Sequence, residues 1–249
     1  RTLPVSGVWP PHFARNLYLL RKQQITSFSQ TLYTIPMSEN VSFVPLIELP
    51  FAKNVPSIEE PDGQFHENPK EWTEYFKMLM EYSYPSLPSP INESVKMYKL
   101  FELDWNIISK AIELHKGDLD LEDSCSFFGG YAIEVDNEIV LYPQCCGLLE
   151  EINDLKKMKQ WRFKPFYLSE CHPSPKFSKV RRNMVIECED EFEPFSPETK
   201  SKIIIPYDKI VDAFKVLEEN LKNYSKELDL HSAEYGVSSL SDILIWGRK

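Results

Sequence analysis

Long apolar runs are missing from this chain. Its longest, such as Val41 to Leu49 and Ile203 to Ile205, fall far short of the ~20 residues that cross a bilayer, so no membrane span is expected. Phosphate-cradling glycine loops are missing too. The Gly129-Gly130 pair stands without G-x-G-x-x-G or G-x-x-x-x-G-K around it, and neither G-x-S-x-G nor H-E-x-x-H occurs anywhere, which removes the standard nucleotide, hydrolase and zinc-protease readings. Cysteine is sparse and odd in number. Cys125, Cys145, Cys146, Cys171 and Cys188 do not form the dense set of a small disulfide-stapled module, and they point to a reducing, cytoplasmic setting. The opening residues RTLPVSGVWPPHF lack a basic segment followed by an apolar core, so no secretory signal is expected there, and a chain that opens on Arg1 is expected to have been trimmed or truncated.

What remains is ample for a folded protein. Hydrophobic residues make up 42% and aromatics 13% of 249 residues, with tryptophans at positions 9, 72, 105, 161 and 246, enough to fill one large domain or two small ones. Acids outnumber bases 38 to 28, and the formal charge of −10 repels phosphate backbones and attracts basic partners, so nucleic acid is not an expected ligand.

Breakers and periodicity organise the chain. Pro10-Pro11 can open a helix through about Lys22, and Thr31 to Ile35 with Val41 to Leu49 read as a strand pair, Pro45 implying an edge or an interruption. A Pro-rich polar stretch from Pro50 to Pro69 can mark a module boundary, with residues 1–60 as a helix plus hairpin that either stands apart from or shares one core with a main α+β domain over 61–249. Asn68-Pro69-Lys70-Glu71 has the form of a capping box ahead of Trp72, Tyr75, Phe76, Leu79 and Met80 at helical spacing. After Pro85, Pro88 and Pro90, Asn92 can cap a helix bearing Tyr98, Phe101, Trp105, Ile108 and Ile112, closed by Gly117. Strands are expected at Phe163 to Leu168, Met184 to Cys188 and Lys202 to Ile205. Pro206 then opens a helix with Ile210, Val211, Phe214, Leu217, Leu221 and Tyr224 on one stripe, and Leu240 to Trp246 adds a final turn or two. Helices, then a run of strands, then a helix is the order of an α+β fold: one mostly antiparallel sheet with helices packed on one face.

The densest cluster of signals is Gly129 to Asp154. Tyr131, Ile133 and Val135 alternate with Ala132 and Glu134, Asp136-Asn137 supplies a positive-φ turn, and Ile139 to Tyr142 returns as the partner strand. Cys145 and Cys146 follow, just before a helix start at which exposed N–H groups favour a thiolate. With Cys171-His172 downstream, Cys145 or Cys146 could pair with His172 as nucleophile and base, the ring oriented by Glu170 or Asp154. Adjacent cysteines also serve as small buried apolar groups. A zinc set of Cys145, Cys146, Cys171 and His172 is disfavoured, because neighbours on an extended chain point apart, and no cofactor or metal is expected. Asp118, Asp120 and Asp123 do not fit a calcium loop and read as solvated acids.

A second candidate is the acidic run Glu187, Glu189, Asp190, Glu191, Glu193 and Glu198, interleaved with Phe192 and Phe195. Solvation alone accounts for such a run, and Arg181-Arg182 could neutralise part of it. Acids around exposed rings can instead steer and anchor a basic protein, with Asp118 and Asp120 extending the face.

The order helix, SFFGGYAIEV hairpin and YPQCCGLLEEIND into a helix, over about Leu100 to Ile205, resembles immunity and binding domains of the SUKH superfamily. That resemblance implies a non-catalytic α+β interaction module that masks a toxin, and it assigns no individual residue. The expectation is therefore a cytoplasmic immunity-type protein binding a basic partner through its acids, with a thiol-dependent enzyme or a metal-binding domain as alternatives.

Overall fold

The computed structural model describes residues 32–34, 40–53, 55–64, 67–92, 96–160 and 162–248. The helix expected between Pro10 and Lys22 lies outside them. The chain divides into two compact units, one containing Leu49–Ser89 and Glu102–Asp120, the other containing Ser29–Glu48, Pro90–Phe101 and Leu121–Lys249.

In the first unit, α1 (Pro69–Ser83) starts with Pro69 in its first turn, where a missing N–H costs nothing. The expected capping box does not form: the Asn68 side chain makes no cap bond and donates instead to the Asp62 carbonyl at 2.9 Å. Tyr75, Phe76 and Leu79 turn one face inward onto Val55, with Trp72 and Phe51 packed beside them. Tyr84 closes this cluster by donating its hydroxyl to the Pro50 carbonyl at 2.6 Å. The helix α2 (Trp105–Lys116) begins later than its periodicity suggests, because Asp104 caps it, accepting from the Ile107 N–H at 3.0 Å.

The second unit holds the strands. One sheet has the order β3 (Met97–Lys99), β2 (Val41–Glu48), β4 (Gly129–Val135), β5 (Glu138–Leu141), all antiparallel. The other runs β1 (Leu32–Thr34), β9 (Lys202–Pro206), β8 (Asn183–Glu187), β7 (Lys176–Val180), β6 (Phe166–Tyr167), antiparallel except where β1 joins β9. The class is α+β, with the strands divided between two sheets rather than gathered in one. The expected pairing of β1 with β2 does not occur, since they belong to different sheets. Residues 97–99, read as helical, form a strand against Leu46–Glu48. Pro45 is accommodated because β3 pairs only with Leu46–Glu48, so the missing N–H faces no partner strand on that side.

The β4–β5 hairpin turns as expected, with Asp136 at φ 48° and Asn137 at φ 66°. Gly129 serves a close approach to strand β2, since a Cβ there would lie 2.1 Å from the Leu46 carbonyl oxygen, whereas a Cβ on Gly130 would meet the Pro143 ring at 3.0 Å. Behind this sheet, α4 (Tyr207–Asp229) packs on β2, and its Phe214 meets Phe43 edge to face at 5.9 Å. Before it come a 3₁₀ turn over Leu149–Glu151 and the short α3 (Ile152–Leu155). After it, α5 (Leu240–Leu244) is capped by Ser239, and Trp246 donates to Ser225 Oγ at 3.0 Å. No helix among the described residues is long and apolar enough to cross a membrane.

Candidate functional site

Two loops of the second unit meet beside the β4–β5 sheet. The first, Pro143 to Leu148, leaves β5 and turns back, with Gly147 N–H bonded to the Gln144 carbonyl at 3.2 Å. Only glycine fits at 147, since a Cβ would lie 2.5 Å from the Gly129 carbonyl oxygen. The second loop, Leu168 to Ser174, lies between β6 and β7. An isolated antiparallel bridge joins them, the His172 N–H donating to the Cys145 carbonyl at 3.0 Å. That bridge brings an imidazole to two thiols.

Carboxylates of the preceding helical turn hold the second loop in place. Buried Glu151 accepts from the Cys171 N–H at 2.9 Å through Oε1, and Asp154 accepts from the Ser169 N–H at 2.9 Å and from its hydroxyl. Gln144 ties in a third segment, accepting from the Ser196 N–H at 2.9 Å.

Cys146 adopts φ 62°, the left-handed region. This single torsion reverses the expectation that adjacent cysteines point apart: Cys145 Sγ and Cys146 Sγ lie 3.5 Å from each other. Cys145, Cys146 and His172 each present a ligand atom within 4.8 Å of the others, and all three reach solvent. Among the described residues they form the His, Cys, Asp or Glu group close enough to share a metal ion. Cys171 is not part of it. It is buried, and burial with the nearby Glu151 raises its thiol.

The electrostatics are asymmetric. The hydrogen bond from Cys145 lowers the Cys146 thiol to about 6, with help from His172, while burial opposes it. Cys145 is raised for the complementary reason: its thiol proton is held in the hydrogen bond to Cys146, burial adds to this, and a charge on Cys146 disfavours a second. We place the thiolate on Cys146, where the Cys145 hydrogen bond and the His172 imidazole both favour the charged form. His172 is itself raised, chiefly by Glu193, whose Oε2 sits 2.8 Å from Nδ1. Neither Glu170 nor Asp154 orients the ring; Glu193 does. The helix end contributes less than expected, since Cys146 precedes a 3₁₀ turn and not the first turn of a long helix.

The acidic run is divided in its uses. Glu187 pairs with Lys176 at 2.8 Å and Lys202 at 3.7 Å, whereas Arg181-Arg182 form the turn at the opposite end of the β7–β8 hairpin. Asp190 folds the loop by accepting from the N–H groups of Phe192 and Glu193 at 2.8 and 3.0 Å. Phe195 is buried, so it offers no surface anchor; Phe192 is 76% exposed between Glu191 and Glu193. Asp118 and Asp120 belong to the first unit, the run to the second. The role of Glu193 was hidden among its acidic neighbours, and only the distance to His172 singles it out.

Comparison with known proteins adds no assignment: no family model, curated protein or solved structure matches the chain.

Proposed function

We propose that the protein acts through a nucleophilic thiolate at Cys146, with His172 as its proton partner and Glu193 orienting the ring. The observation that carries this reading is the grouping of three residues: Cys146 Sγ lies within 4.8 Å of a ring nitrogen of His172, whose Nδ1 is 2.8 Å from the Glu193 carboxylate. His172 can hold a proton close to the sulfur and deliver it to a leaving group, while Glu193 stabilises the imidazolium. None of the five cysteines is joined in a disulfide, which suits a reducing cytoplasm. The test is residue-resolved labelling with iodoacetamide at neutral pH. Cys146 is expected to react first and His172→Gln to slow it about tenfold. Equal rates at Cys146 and Cys125, or no effect of H172Q, overturn the reading.

A second reading is favoured by Phe192. A ring 76% exposed and flanked by Glu189, Glu191 and Glu193 is suited to anchoring a basic protein, such as a toxin masked by an immunity module of the kind the sequence resembles. Calorimetry with basic toxin domains tests it. Binding unchanged by Phe192→Ala together with Glu189→Lys and Glu191→Lys removes this face.

A further inference from the structure

The nucleophile reading leaves Cys145 without a task. Its sulfur nevertheless lies 3.5 Å from that of Cys146, on the same side as the ring of His172. Tetrahedral zinc with Zn–S bonds of about 2.3 Å sets its sulfurs about 3.7 Å apart, so the pair stands at nearly that spacing already. A ring nitrogen of His172 lies within 4.8 Å of both sulfurs.

The surroundings favour a cation. Glu193 bears on both thiols and Glu48 on Cys145, so several groups of negative or potentially negative charge converge here. The pairing of His172 with Glu193 is the arrangement by which a carboxylate fixes the tautomer of a metal-ligating imidazole. The backbone is fixed before any ion arrives. The Cys145–His172 bridge, the Gly147 turn and the bond from Glu151 to the Cys171 N–H hold the two loops in register.

We propose that Cys145, Cys146 and His172 bind one zinc ion, with Glu193 as a positioning residue and the fourth coordination place open to solvent. Two thiolates and an imidazole match zinc among the common biological divalent cations, because magnesium and calcium require oxygen ligands. Binding releases the Cys145 thiol proton and the second ring proton of His172 to solvent, the Cys146 sulfur being already a thiolate, and changes no oxidation state. The inference shares its residues with the nucleophile reading but rests on a different property, the convergence of both sulfurs.

The test uses the full chain, reduced and stripped of metal, titrated with cobalt(II) as a spectroscopic probe. The expected result is a thiolate-to-cobalt charge-transfer band that saturates at one equivalent and disappears when zinc displaces cobalt. Cys145→Ser, Cys146→Ser and His172→Gln are each expected to weaken binding at least about tenfold, and Glu193→Gln by about 10- to 100-fold. Absence of the band in the wild-type protein, or a Cys145→Ser variant that binds cobalt as well as the wild type, overturns the proposal. If a variant does not fold, wild-type labelling decides: zinc is expected to protect Cys145 and Cys146 together from iodoacetamide while Cys125 labels as before, and failure to protect overturns it. The two readings fail separately. Fast labelling of the metal-free protein without a cobalt band retains only the nucleophile, and slow labelling with a band retains only the metal site.

Discussion

Glu151 Oε1 accepts the Cys171 N–H at 2.9 Å, and through that one bond a buried carboxyl sets the position of His172, the next residue in the chain. Burial pushes the Glu151 carboxyl up to about 7, although bonds from the Cys171 and Glu170 backbone pull the other way. The folded protein therefore holds this proton more tightly than the unfolded chain, whose carboxyl titrates near its ordinary value. Stability is complete below that ordinary value and declines as pH rises towards 7, by roughly 3 kcal/mol for this group alone. Glu151→Gln keeps an accepting oxygen and removes the titration. Denaturation at about pH 5 and about pH 8 is expected to show a smaller loss in the variant than in the wild type.

Glu193 acts through His172, so its effect on Cys146 is expected to be smaller than that of the ring itself. Glu193→Gln should leave the melting temperature unchanged, because the pair is exposed, and slow Cys146 labelling about threefold against about tenfold for His172→Gln. Residue-resolved mass spectrometry measures both in one digest.

Gly129→Ala is expected to destabilise the second unit by about 3 to 5 kcal/mol. Its Cβ would sit 2.1 Å from the Leu46 carbonyl oxygen, and its φ of 146° is strained for any side chain. Gly236→Ala is the control: its Cβ would meet nothing within 4 Å, so only the cost of a left-handed alanine, about 1 kcal/mol, is expected. Urea titration of both variants makes the comparison.

The two phenylalanines of the acidic loop should behave oppositely. Phe195→Ala removes a buried ring and is expected to cost about 3 kcal/mol, whereas Phe192→Ala, at a 76% exposed position, should fall within about 0.5 kcal/mol of the wild type. Thermal melts of the pair check both, and a stable Phe192→Ala protein is the right reagent for partner binding.

Local signals were readable where one local force dominates. Asp136-Asn137 turns the hairpin because both torsions are positive, and the stripe of Ile210, Phe214, Leu217 and Leu221 is buried on α4. Residues 97–99 were not readable, because a helical spacing of aromatics gave way to pairing with a strand distant in sequence. The site was half legible. Cys145, Cys146 and His172 could be nominated by residue type, but their meeting depends on one left-handed torsion and on a bridge between loops, neither of which periodicity records. Glu193 owes its role to distance alone.

The parallel pairing of β1 with β9 bears on how the protein is made. Strands β6 to β9 follow one another closely and can zip together as they leave the ribosome, whereas β1 emerges early and must wait for Lys202–Ile204 to be synthesised before its partner exists. Closing that long-range pair therefore comes late in assembly of the five-stranded sheet, after most of the chain has been made.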